Sequence, residues 1–208
     1  MENSEGALSQ PLISIKTGQE AFTKDSRCTT FRLLDFWQWS MSDLLNNTSR
    51  GRLAEYIVAT ALGVSDKVRV EWDAYDLIAQ NGSKIEIKSS AYIQSWHIGK
   101  LSSICFDIRP TVEWNIKTRK YEGEAKRRSD FYVFSLLHHR DKETVNPLDL
   151  DQWTFFILPT SVLDEKVPFQ KKIALSSLKG LGPEECKYGQ IKQVLDRLIV
   201  IDSKESLS

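Results

Sequence analysis

In residues 75–91, YDLIAQNGSKIEIKSSA, apolar and polar side chains alternate on both sides of Asn81-Gly82. A period of two around Asn-Gly predicts a β-hairpin. Upstream, RGRLAEYIVATALG spaces Leu53, Tyr56, Ile57 and Ala61 at helical intervals. Asn46, Asn47, Thr48 and Ser49 offer N-caps for that helix and Gly63 a stop. Between them, VRVEW (Val68 to Trp72) reads as a strand. Phe31 to Trp39, FRLLDFWQW, is strongly apolar, and its pattern fits either strand or helix. Further on, SICFDI (Ser103 to Ile108), DFYVFSLL (Asp130 to Leu137) and WTFFILP (Trp153 to Pro159) read as strands, and IKQVLDRLIVI as a helix. A helix, a run of strands, then further strands and helices predict an α/β fold of α+β layers, a central mixed β-sheet flanked by helices. The polar residues 1–27 read as a flexible N-terminal arm, 28–202 as a single domain and 203–208 as a frayed C-terminal tail.

Composition narrows the class. The 208 residues suit one domain, and an apolar content of 41% can fill its core. With 28 basic and 28 acidic side chains the net charge is zero, so nucleic-acid binding must rest on a local patch. Cys28, Cys105 and Cys186 match neither a zinc spacing nor a secreted disulfide framework, which makes a reducing cytoplasm the expected location. The opening MENSEGALSQ lacks the basic-then-apolar order of a signal peptide, and no apolar run approaches a membrane span of ~20 residues.

Chemistry concentrates in the hairpin, whose polar positions include Asp76, Glu86 and Lys88. Alternation along SKIEIKS sends Ile85 and Ile87 to one face and Glu86 and Lys88 to the other. A tight two-residue turn would pair Asp76 near Ile87, diagonal to the other two. A bulge of one residue, or a splayed strand end, would bring it directly opposite one of them. Two carboxylates and an amine gathered there have the composition of a metal-dependent hydrolytic site. Magnesium takes one or two carboxylates and leaves positions for water and phosphate; Asp76, Glu86 and the Ile87 carbonyl could supply its protein ligands. A lysine beside the metal would have its pKa lowered, and could orient or deprotonate the attacking water and stabilise the phosphate.

Asp76, nine intervening residues, then Glu86-Ile87-Lys88 resembles the core of the PD-(D/E)XK nuclease superfamily, with Tyr75 where the family usually has proline. The resemblance covers about Ser49 to Ala91. It implies a restriction-endonuclease-like fold, a magnesium-dependent endonuclease acting on DNA (manganese substituting), metal ligands at Asp76 and Glu86, and a catalytic Lys88. It also implies a homodimer that cuts both strands. Many members carry a glutamate on the preceding helix that reaches the metal. Glu55 occupies that helix here, flanked by apolar residues, although Arg52 one turn earlier could hold it in a structural ion pair.

For substrate, KTRKYEGEAKRR (Lys117 to Arg128) carries six basic and two acidic residues in twelve. Lys117, Arg119, Lys120, Lys126, Arg127 and Arg128 are candidates for neutralising backbone phosphates, though a solvated hairpin has the same composition. Arg50 and Arg52 could extend that surface, and Gln94 could bond a phosphate or the attacking water. Two other readings remain open: a non-catalytic nucleic-acid-binding protein on the same scaffold, and a structure-specific resolvase or repair nuclease.

Overall fold

The computed structural model describes residues 13–69, 74–96, 98–115, 118 and 120–205. The chain opens with a hairpin of β1 (Ala21–Lys24) and β2 (Arg27–Arg32), followed by α1 (Leu33–Met41) and α2 (Asn47–Leu62). Next come β3 (Leu77–Ile78), β4 (Lys84–Ala91), β5 (Cys105–Asp107), β6 (Thr111–Asn115), β7 (Lys120–Lys126), β8 (Phe131–Leu137) and β9 (Trp153–Pro159). The remaining elements are α3 (Thr160–Lys166), β10 (Lys172–Ala174), α4 (Leu175–Gly180), β11 (Glu184–Cys186) and α5 (Ile191–Glu205).

The expected α/β architecture is present: a central five-stranded mixed sheet in the order β11-β9-β8-β4-β3, with helices on its faces. Among the described strands of this sheet β4 and β8 run parallel, and the other pairs are antiparallel. Ile85, Ile87, Phe131, Val133, Phe155 and Ile157 pack with Ala54, Ile57, Val58 and Leu62 of α2 and Ile191 and Leu195 of α5. The opposite face sets Tyr132, Phe134, Leu136, Phe156 and Leu158 against Phe106 of β5, Ile173 of β10, Leu163 of α3 and Leu178 of α4. Both faces of β8 are thus covered, which accounts for its unbroken apolar run FYVFSLL.

Helix α2 starts and stops as its sequence directs. The Asn46 side chain accepts the Ser49 amide at 2.9 Å, and Gly63 closes the helix in the left-handed region at φ 68. Leu53, Ile57 and Ala61 pack inward as expected, but Tyr56 is 60% exposed, because the buried stripe runs through Ala54, Ile57, Val58 and Leu62. Phe31 to Trp39 resolves into both alternatives, the end of β2 and then α1. The stretch read as a loose arm to residue 27 already holds β1, joined to β2 by Asp25 and Ser26, both at positive φ as a type I′ turn requires. Helix α5 likewise continues through Glu205, past the expected start of the tail at 203. Of VRVEW, residues 70–73 lie outside the described residues. Among those described, no helix is long and apolar enough to cross a membrane.

Candidate functional site

The hairpin turn decides the site. Ile78 pairs with Lys84, so the connection spans residues 79–83 rather than Asn81-Gly82 alone. The Ala79 amide donates to the Ser83 carbonyl at 2.8 Å, and Gly82 to the Ala79 carbonyl at 2.9 Å with φ 90. This longer loop shifts the register by one residue and sets Asp76, just before β3, opposite Glu86. The Asp76 amide donates to the Ile85 carbonyl at 3.0 Å, out of step with the Leu77–Ile85 pair. Its Oδ2 accepts the Ile87 amide at 2.7 Å. The register set by the longer loop, rather than a bulge within the strands, aligns the two acids.

On β4, Glu86 pairs with Tyr132 and Lys88 with Phe134 of β8, so both side chains project from the face opposite α2. The Lys88 ammonium is bonded to Glu86 Oε1. Their side chains retain 28% and 19% exposure, enough to be reached from solvent. Burial, with Glu86 and then Glu55 adding like charge, pushes the Asp76 carboxyl up to about 7 despite the Ile87 amide bond. Burial acts most strongly, to lower the Lys88 pKa, but the charge and hydrogen bond of Glu86 together with Asp76 and Asp107 outweigh it and the net shift is upward. The protein's own groups thus favour the charged ammonium, and the expected lowering is one that a bound cation would have to supply.

The expected helix glutamate, Glu55, is engaged by an arginine from beyond its own helix. It takes a two-pronged contact from Arg69, through Nε and through Nη2 at 3.1 Å, although its charge is still felt at Asp76. Among the described residues no three His, Cys, Asp or Glu groups come together as a metal cage. The Asp76–Glu86 pair nevertheless fits a hard cation that needs only one or two protein carboxylates. Two acids pressed together under partial burial, one with a raised pKa, are relieved by a positive ion.

A cleft of about 390 Å³ opens beside Glu86 and Lys88, walled by Asp107, Arg109, Thr111, Arg127, Arg128 and Tyr132. Asp107, Arg109 and Tyr132 were not anticipated. SICFDI read as a core strand; its alternation turns Asp107 away from buried Phe106, but no local signal says that β5 crosses beside β4. Burial first, and then Glu86, raise the Tyr132 pKa, so its hydroxyl keeps its proton.

The expected nucleic-acid residues divide. Arg50 is 2% exposed and donates to Ser89 Oγ at 3.2 Å, Leu45 O at 3.1 Å, Gln94 Oε1 at 2.6 Å and Asn47 Oδ1 at 2.7 Å. Gln94, 8% exposed, donates onward to Ala91 O at 3.2 Å. Both form an internal fastening between α2 and the end of β4 and present no arm to a phosphate. Helical periodicity from Ala54 already put Arg50 on the buried side. Arg127 is likewise committed inward, to Ile108 O at 2.8 Å, Val167 O at 3.1 Å and Asp164 Oδ1 at 2.5 Å. Arg52, Lys120 and Lys126 are exposed, and Arg128 is half-buried on the cleft wall. Lys117 and Arg119 lie outside the described residues. Strands β6 and β7 form a separate two-stranded hairpin that rises from the cleft wall at Thr111 and Arg128.

Fold and site together define an α/β protein with a paired-acid and lysine centre on the edge of a mixed sheet, opening into a basic-walled cleft. More particularly, the chain belongs to the bacteriophage T4 endonuclease IV family, whose model matches residues 6–176. It is an endonuclease, a hydrolase that cuts within a polynucleotide. No curated protein matches the chain.

Proposed function

We propose that the protein is a magnesium-dependent endonuclease acting on DNA through a PD-(D/E)XK-type site of Asp76, Glu86 and Lys88. The observation that carries this reading is the half-buried Asp76 fastened to β4 on both sides of Glu86, with the Lys88 ammonium bonded to Glu86. Asp76, Glu86 and the Ile87 carbonyl would hold the cation, which when bound would supply Lewis-acid charge at the scissile phosphate. Glu55 is a further ligand only if it exchanges Arg69 for the cation. Asp76 would have to give up its proton to solvent in order to serve as a ligand. Lys88, charged, orients the attacking water and stabilises the added negative charge on the phosphate. The exposed lysines of the β6–β7 hairpin support a polyanionic substrate, and DNA is the form we assign. By the same resemblance the working form is a homodimer, which sedimentation would test.

The test is cleavage of supercoiled plasmid with magnesium or manganese, beside Lys88→Ala and excess chelator. Nicking or linearisation lost in both controls supports the reading. Cutting that survives chelator or Lys88→Ala overturns it.

A further inference from the structure

Arg109 follows β5 and stands on the wall of the cleft that holds Glu86 and Lys88, its side chain 54% exposed. Asp107 grips one edge of its guanidinium. Nε lies 3.0 Å from Oδ1 and 2.8 Å from Oδ2, and Nη2 lies 2.5 Å from Oδ2. The Arg109 amide also donates to Asp107 Oδ1 at 3.1 Å, so the pair is fixed along the backbone as well. The Nη1 edge of the fork takes part in none of these bonds. An exposed pair of this kind contributes little to stability, because solvent screens it and holding two side chains costs entropy. Its effect is on geometry: a planar, permanently charged group is held at one orientation beside the reactive lysine. A guanidinium fork matches two oxygens of a phosphate, which a lysine cannot do.

We infer that Arg109 is a substrate-phosphate anchor of the cleft, held in place by Asp107 and engaging the nucleic-acid backbone through its remaining donors. The inference rests on the nuclease reading and adds to it a binding residue outside the Asp76, Glu86 and Lys88 set and outside the basic hairpin. Thr111 and Arg128 adjoin it on the same wall, so the anchored phosphate lies between the reactive centre and the base of that hairpin.

The experiment measures binding of a fluorescein-labelled DNA oligonucleotide by anisotropy, in chelator so that no cutting occurs, over a series of potassium chloride concentrations. Wild-type protein, Arg109→Gln and Arg109→Lys are compared. The plot of log affinity against log salt should lose about 0.7–0.9 of slope in Arg109→Gln, the release of one phosphate contact, with affinity several-fold weaker. Arg109→Lys should keep the slope, because it keeps the charge. An Arg109→Gln curve superimposing on wild type overturns the anchor and leaves the nuclease reading standing. Failure of wild-type protein to bind the oligonucleotide overturns DNA as the substrate and the anchor with it. A thermal melt of each variant accompanies the titration; should Arg109→Gln not fold, a fall in affinity at constant slope in Arg109→Lys carries the result, and no fall overturns it.

Discussion

Asp76 is fastened to β4 on both sides of Glu86: its amide donates to the Ile85 carbonyl at 3.0 Å, and its Oδ2 accepts the Ile87 amide at 2.7 Å. The carboxyl cannot swing away from Glu86 without breaking a backbone contact. The closeness of two acids is therefore built into the ladder and does not depend on a flexible side chain. Burial and the neighbouring charges then keep the Asp76 pKa near 7.

Because the folded-state pKa of Asp76 is raised above its value of 3.8 in an unfolded chain, the native state binds this proton more tightly. The resulting stabilisation is complete below about pH 3.8 and is lost as pH rises through about 7. In chelator, the melting temperature of wild-type protein should fall between mildly acid and mildly alkaline pH. Asp76→Asn should flatten that decline, as calorimetry would show. An equally steep decline in the variant would remove Asp76 as its source.

The same proton links to cation binding. Magnesium titrated calorimetrically into the protein should release protons near neutrality, detected as a buffer-dependent heat, and bind more tightly as pH rises through about 7. Asp76→Asn should bind at least tenfold more weakly, with the buffer dependence gone. A heat of binding unchanged in the variant would place the cation elsewhere.

Arg50 tests the difference between a structural and a phosphate-binding arginine. Arg50→Met would strand Gln94, Asn47 and the Leu45 carbonyl, costing about 3 kcal/mol in urea unfolding. Burial lowers its own pKa to about 10, still charged at neutrality. Where the variant remains folded, the salt dependence of DNA binding should match wild type. A reduced slope would mean that Arg50 reaches a phosphate.

Lys120 and Lys126 give the converse. Replacing both by alanine should leave the urea midpoint almost unchanged. It should lower the salt slope for duplex DNA by about 1.8, two contacts at roughly 0.9 each. Arg127→Ala should instead destabilise by ~3 kcal/mol, since it frees the Ile108 and Val167 carbonyls and Asp164. Equal effects of the three residues on unfolding would contradict this division.

Elements with one strong local signal were legible in the sequence. The apolar run WTFFILP coincides with β9, DFYVFSLL contains β8, and Asn46 and Gly63 bound α2 as read. The candidate site was legible in composition but not in register. Asn81-Gly82 suggested a two-residue turn, whereas Ala79 and Ser83 close a longer loop, and that single-residue difference brings Asp76 opposite Glu86. Side-chain direction proved harder for arginine. Arg50, Arg127 and Arg128 look alike in a sequence, yet two are buried by partners dozens of residues away. The short strands β10 and β11 carry little pattern of their own and form by pairing with β5 and β9. Contributions from Asp107 and Arg109 depend on β5 lying across the sheet, a tertiary fact without a local signature.

The parallel neighbour of β4 enters the chain late: Lys84 donates its amide to the Asp130 carboxylate 46 residues further on, and Ile85 aligns with Phe131. A nascent chain that has left the ribosome only as far as β7 already carries Asp76, Glu86 and Lys88, but one side of β4 has no strand against it. Tyr132, which lines the cleft beside Glu86, has not yet been made. The strand that carries Glu86 and Lys88 is therefore flanked on both sides only once β8 has been added.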